Sequence, residues 1–331
     1  MTDPTILTFD PQSLAPEAAA LLPRLSNDDA AVRRIALIEL ADLEDPDALP
    51  PIVAALKHDA SPDVRSEAAR VLGAWEQRDI VEALCNALHD TDDNVREAAA
   101  SSLSALKQTS SGAVLCEWAD DPAPFVKRAI LRALRELRYT DAFSPALRAL
   151  EHDDSNVRIE AVGVLGWLKD VRALAPLASI AVHDVDADIR RTAVGALGFS
   201  HADDPATAQA LLHALGDSAW QVREEAATTL GKLHAKSARD ALIAALDDAY
   251  WQVRLRAARA LGQLGDRMAA QPLVALLSHA ISNLRKEAAL ALGELRDPST
   301  ASALRIALND ADPEVRKAAR IALQQIGEAM R

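Results

Sequence analysis

The sequence predicts an all-α solenoid of about ten two-helix repeats of ~31 residues, on three observations. An apolar–basic dipeptide, usually Val-Arg, recurs along the whole chain. Its basic residue is Arg33, Arg65, Arg96, Lys127, Arg158, Arg190, Arg223, Arg254, Arg285 or Arg316, at spacings of 31 to 33 residues. Seven residues after every one of these anchors stands a leucine, from Leu40 to Leu323. The apolar half of the chain is dominated by Ala and Leu, with only 3% aromatics, a composition that favours helix over strand. A fixed period of this length means stacked repeats, each burying its apolar face against its neighbours.

Each position in the repeat follows from that register. The residue before the anchor, the alanine usual three after it, the leucine at seven and the apolar residue at ten form one stripe at helical spacing, which defines the second helix of each repeat. Gly73, Gly166, Gly198, Gly231, Gly262 and Gly293 fall eight after their anchors, inside that helix. Glycine there costs roughly 1 kcal/mol against alanine, so close approach of a neighbouring helix is the expected compensation. Apolar segments such as Pro51–Leu56, Ala241–Leu246 and Pro272–Leu277 supply the first helix. Between the two, Asp59, Asp90, Asp121, Asp184, Asp217, Asp248 and Asp310 all stand six before an anchor. These carboxylates are expected to cap the second helix. Pairing of the nine anchor arginines (Arg33, Arg65, Arg96, Arg158, Arg190, Arg223, Arg254, Arg285 and Arg316) with turn aspartates of their own or the next repeat predicts a structural ladder.

The run Trp220-Gln-Val-Arg223-Glu-Glu-Ala-Ala-Thr-Thr-Leu230-Gly231-Lys-Leu233, continuing through Ala241-Leu-Ile-Ala-Ala-Leu246-Asp-Asp, resembles the short HEAT repeat of the phycobilisome-lyase-like (E–Z) class, and the resemblance covers roughly residues 17 to 329. It implies a right-handed superhelix whose second helices line a concave groove used for docking proteins. Some members of that class attach or remove bilin chromophores. Iron hydroxylases built from such repeats use His-Glu pairs, and no His-Glu dipeptide occurs here. The expected organisation is an N-terminal extension, 1–16, followed by one solenoid, 17–331, with a divergent repeat at 111–141.

Composition narrows the function classes. The net charge of −13 opposes nucleic acid and anionic lipid at long range. One arginine stripe cannot reverse that where Glu136, Glu160, Glu225, Glu287 and Glu294 share the groove positions, so nucleic acid is not an expected partner. There is no long apolar run and no basic leader, so a cytoplasmic protein is expected, and a monomer. Cys85 and Cys116 stand at like positions in consecutive repeats, and helices 8–10 Å apart hold such positions beyond disulfide reach. Four His-Asp dipeptides, beginning at His58, His89, His152 and His183, are likewise too far apart to share one metal ion. With no phosphate loop, Cys-x-x-Cys or nucleophile elbow, neither a catalytic residue, a metal nor a cofactor is expected.

Candidate binding residues lie where the repeats depart from their pattern. Positions one, two, five and nine after the anchor are opposite the apolar stripe and are expected to be the most exposed. Repeat 4 differs in carrying a basic stripe on one helix face, Arg128, Arg132 and Arg135, with Arg138 a turn further on. This stripe reads either as a solvated helix face or as a docking patch for an acidic partner segment. The same repeat lacks both the anchor arginine and the glycine, and follows an expected break at Thr109–Gly112. Repeats 5 and 6 place Gly163 and Gly195 at position five, with Trp167 and Phe199 at position nine. Aromatics beside glycines predict an apolar depression, unless loops close over them. Trp220, Tyr250 and Trp251 are expected to pack between neighbouring turns, and Trp75 to be buried. The leading expectation is a non-catalytic scaffold that binds a protein or peptide in the groove around repeats 4 to 6. The alternative is a lyase-like or chaperone protein acting on a tetrapyrrole-bearing partner.

Overall fold

The computed structural model describes residues 14–201 and 204–329, so most of the expected N-terminal extension, 1–16, lies outside the described residues. All regular structure among them is helical. Contacts along the backbone divide the chain after Leu168 into two compact units. The first contains α1 (Pro16–Leu21), α2 (Ala30–Asp42), α3 (Leu49–His58), α4 (Pro62–Leu72), α5 (Arg78–Ala87), α6 (Asp93–Ser104), α7 (Thr109–Trp118), α8 (Pro124–Leu137), α9 (Phe143–Ala149) and α10 (Ser155–Leu168). The second contains α11 (Leu174–His183), α12 (Ala187–Ala196), α13 (Pro205–Ala214), α14 (Trp220–Lys232), α15 (Arg239–Ala244), α16 (Trp251–Leu264), α17 (Ala270–Leu276), α18 (Ser282–Leu295), α19 (Ala301–Ala307) and α20 (Pro313–Ala329). Even-numbered helices carry the anchors, so repeats 1 to 5 form the first unit and repeats 6 to 10 the second.

Within each unit every even helix packs on the next even helix and on the first helix of its own repeat. The predicted stripe is the core: Val64, Ala68 and Leu72 of α4, like Val253, Ala257 and Leu261 of α16, are fully buried. The glycines at position eight allow the even helices to approach. A Cβ on Gly293 would stand 2.8 Å from the Ala322 Cα, closer than real Cβ contacts come. The expected break at Thr109–Gly112 is instead the first turn of α7. Glu76 accepts hydrogen bonds from the Lys107 and Gln108 backbone N–H groups and the Ser111 hydroxyl, each at 2.8 Å. Gly112 survives inside α7 because the Tyr139 ring lies where its Cβ would be.

Helix ends show a device that the sequence hides. Position eleven adopts the left-handed conformation in six repeats, at Glu44, Arg138, Lys169, His234, Gly265 and Arg296. Only one of these is glycine, so the register of the stack imposes a turn that residue type does not announce.

Candidate functional site

The capping role falls to other aspartates than expected. Asp29, Asp92 and Asp186, four residues before their anchors, accept from the first turn of α2, α6 and α12. The aspartate six before the anchor accepts the backbone N–H two residues on, as Asp90 does from Asp92 at 2.9 Å. That leaves the rest of its carboxylate for the arginine of the preceding repeat. Arg33 pairs with Asp59, Arg65 with Asp90, Arg190 with Asp217, Arg223 with Asp248 and Arg285 with Asp310, through Nε and Nη2 at 2.6 to 2.9 Å. Each of these arginines also donates through Nη1 to two carbonyls of its own turn, Arg65 to Asp59 at 2.8 Å for instance. The Arg65 hydrogen bond holds Asp90 below the usual carboxylate range, with burial opposing it.

Not every anchor forms this rung. Arg96 pairs with Asp93 and lies over the Phe125 ring, while Asp121 accepts from His89 Nε2 at 2.9 Å. Arg316, the last anchor, donates to the Asp310 and Ala311 carbonyls. Arg254 faces His279 where the others face a carboxylate.

On the exposed face of α8 the basic stripe is present but largely paired. Pro124 starts the helix, and burial of Val126, Ile130, Ala133 and Leu134 turns the arginines outward. The Arg128 guanidinium sits 5.1 Å from the Phe125 ring centre and 3.6 Å from Glu97. Arg135 donates to Glu160 on α10 at 2.6 Å and to Glu136 at 3.0 Å. Burial pushes the Glu160 carboxyl up, and Arg135, Arg132 and Arg128 pull it back down. Arg132 is exposed and makes no ion pair among the described residues. Arg138, turned back by its left-handed backbone, places its guanidinium 4.2 Å from the centre of the Trp167 ring. Trp167 is 40% exposed.

The glycines do not open onto an apolar floor. A Cβ on Gly163 would meet the Arg135 Nη1 at 3.0 Å, and one on Gly195 the Glu225 Oε1 at 3.1 Å. Each makes room for a charged chain from an adjoining helix. Phe199 ends a 3-10 turn, Leu197–Phe199, in the second unit and is half-buried. Position two is also not uniformly solvent-facing: Ala98, Ala129, Glu287 and Ala318 are buried, whereas Ile35 in the first repeat is 45% exposed. It lies on the flank that meets the preceding repeat, as the pairing of Glu287 with Arg259 at 2.7 Å shows.

Trp220 and Tyr250 stack with ring centres 5.5 Å apart, as neighbouring turns were expected to, and Trp251 beside them is 38% exposed. Trp75 is half-buried rather than buried. Both cysteines are free, Cys85 buried and Cys116 half-buried. Among the described residues no group of His, Cys, Asp and Glu is placed to hold a metal, and no helix is long and apolar enough to cross a membrane. A shallow depression of about 510 Å³ in the second unit is lined by polar groups including His234, Gln263, Glu294 and Gln325. The Arg254–His279 contact was missed in the sequence, where the signal was the absence of aspartate six residues before Arg285.

A family model for HEAT repeats matches residues 18–73, 49–135, 113–198, 174–250 and 239–324. The match is to HEAT repeats as a class and does not reach the phycobilisome-lyase-like subset. No curated protein matches the chain. Among solved structures, an engineered protein is similar over 95% of this chain and 99% of its own, at 21% identity and a TM-score of 0.52. Kap95p, in a structure describing its effect on RanGDP, gives a TM-score of 0.68 at 14% identity over 95% of this chain and 51% of its own. The karyopherin Kap121p, bound to the extreme C-terminus of the protein phosphatase Cdc14p, gives 0.63 at 16% identity over 95% and 42%. The chain thus spans about half or less of the length of these two karyopherins. At such identities the likeness is one of fold. Matched by HEAT-repeat models along most of its length, the chain belongs to the HEAT-repeat family and has that family's all-helical solenoid fold.

Proposed function

We propose that the chain is a non-catalytic protein-interaction scaffold, and that the exposed face of α8 and α10 in repeats 4 and 5 holds an acidic partner segment. Arg132 carries this reading: an exposed guanidinium without an ion pair among the described residues, on the helix face from which Arg135 reaches Glu160 of α10. Trp167 adds a flat apolar surface of the kind that anchors interfaces. Its ring is already covered on one side by Arg138, so a partner carboxylate arriving there meets two cations and a ring. In Kap121p a HEAT solenoid is bound to the C-terminus of another protein, which makes a linear segment a reasonable occupant. The tetrapyrrole alternative is not carried forward, because guanidiniums and carboxylates rather than apolar walls surround Gly163, Gly195 and Trp167.

Selection of a displayed peptide library against the protein tests the reading. Enriched peptides should be acidic and should lose at least about tenfold in affinity, about 1.4 kcal/mol, on the double change Arg132→Glu and Trp167→Ala. Peptides that bind the folded double variant equally well would sink the location.

A further inference from the structure

A closed rung of the ladder gives its carboxylate three donors. For Asp248 they are Arg223 Nε at 2.6 Å, Arg223 Nη2 at 2.9 Å and the Tyr250 backbone N–H at 2.8 Å. For Asp310 they are Arg285 Nε and Nη2 and the Asp312 backbone N–H. Between these two rungs, Arg254 has His279 in the carboxylate's place, and the backbone N–H two residues on, from Ile281, is also present.

His279 cannot serve as the missing acceptor. Its Nδ1 accepts the Ile281 N–H at 3.0 Å, so in the neutral ring the proton is on Nε2. A guanidinium only donates. The 3.0 Å contact between Arg254 Nη1 and His279 Nε2 therefore brings two N–H groups together. Arg254 Nε, which in its neighbours holds the aspartate, is buried with no partner. Three donors converge on this gap, Arg254 Nη1, Arg254 Nε and the Ile281 N–H, with Nη2 taking over the contact to the turn carbonyl that Nη1 makes in the neighbours, and the ring satisfies only one of the three.

We infer that this gap is a carboxylate-binding site for a side-chain or terminal carboxylate of a partner peptide. The imidazole swings out, and the incoming carboxylate takes Arg254 Nη1, which faces the ring, and the Ile281 N–H, with the buried Nε as the remaining donor, while Nη2 keeps the Ala249 carbonyl at 3.4 Å. Tyr250 and Trp251, 46% and 38% exposed, stand four and three residues before Arg254 at the start of α16 and offer apolar surface to the residues flanking that carboxylate. A free small anion would have no use for these rings, and a peptide does. The site lies wholly in the second unit and is independent of the α8–α10 surface.

Titration of the protein followed through the Arg254 Nε–H signal by NMR tests the inference, with acetate and a blocked Leu-Asp-Leu tripeptide as probes. Both should shift the signal, the tripeptide with a midpoint at least about tenfold lower. His279→Ala, which removes the plug, should lower both midpoints several-fold. His279→Asp, which supplies a built-in carboxylate, should abolish the shifts and raise the melting temperature. No shift in the His279→Ala protein, or equal shifts in the His279→Asp protein, would overturn the site. Equal midpoints for acetate and tripeptide would overturn its assignment to a peptide.

Discussion

Gly262 on α16 lies so close to Ala291 on α18 that a Cβ at Gly262 would stand 2.9 Å from the Ala291 Cα and 3.0 Å from its Cβ. The obstacle is partly backbone, so no rotamer change relieves it. Gly262→Ala should therefore destabilise the protein by about 1–3 kcal/mol, although alanine is the better helix former. Gly327, on α20, has nothing within 4 Å of its Cβ position. There Gly327→Ala should stabilise, by up to about 1 kcal/mol. Urea denaturation of the two variants reads the opposite signs, and a stabilising Gly262→Ala would contradict the packing argument.

The Arg65–Asp90 rung predicts a pH dependence. Asp90 titrates below its usual range because Arg65 hydrogen-bonds its charged form, against the effect of burial. A lowered folded-state pKa means stability that is present above the unfolded value of about 3.9 and lost as pH falls through the folded one. Both side chains are mostly buried, at 14% and 12% exposure, so Asp90→Asn should cost about 1–3 kcal/mol near pH 7. The gap between wild type and variant should close below about pH 4. A gap that stays constant from neutral to strongly acidic pH would show that the charge of Asp90 is not what the rung uses.

Features set by a single helix were legible in the sequence. Leu72, Leu103 and Leu261 are buried where a 3.6-residue period puts them, and the Arg–Asp ladder follows from two columns in register. What the sequence concealed depends on the neighbouring helix. Whether position two sees solvent is decided by how closely the preceding even helix packs, which is why Ala129 and Glu287 are buried. Arg135 and Glu225 fill the space beside Gly163 and Gly195 because long side chains reach across a helix pair, a contact with no local signature. The gap at Arg254 was visible as a missing aspartate, but its polarity follows only from the Ile281 N–H pointing at His279 Nδ1.

Glu76 should behave as the cap of α7 although it lies thirty-three residues before Thr109. Burial raises its carboxyl, yet the bonds from Lys107, Gln108 and Ser111 prevail and hold it below its usual value. Glu76→Ala removes the acceptor for three donors and should cost about 1–2 kcal/mol, as loss of a helix N-cap does. Hydrogen exchange localises the effect: the Lys107 and Gln108 amides should lose protection first. Unchanged exchange at those two amides would mean that the cap contributes nothing.

The two thiols should be slow to react. Nucleophilic attack requires the thiolate. Burial first, and then the nearby Asp141, push the Cys116 thiol up to about 11. At pH 8 a thiol with that value is about one thousandth ionised, against about a quarter for a free cysteine near 8.5. Cys85, fully buried, is pushed up further still. An aromatic disulfide reagent should therefore label Cys116 at least about a hundredfold more slowly than a free thiol, on its thiolate fraction alone. Cys85 should react only as the first unit opens. With urea added, the labelling rate of Cys85 then becomes a direct measure of opening around α5. Rapid labelling of either cysteine in the native protein would show that α5 or α7 opens far more readily than its packing predicts.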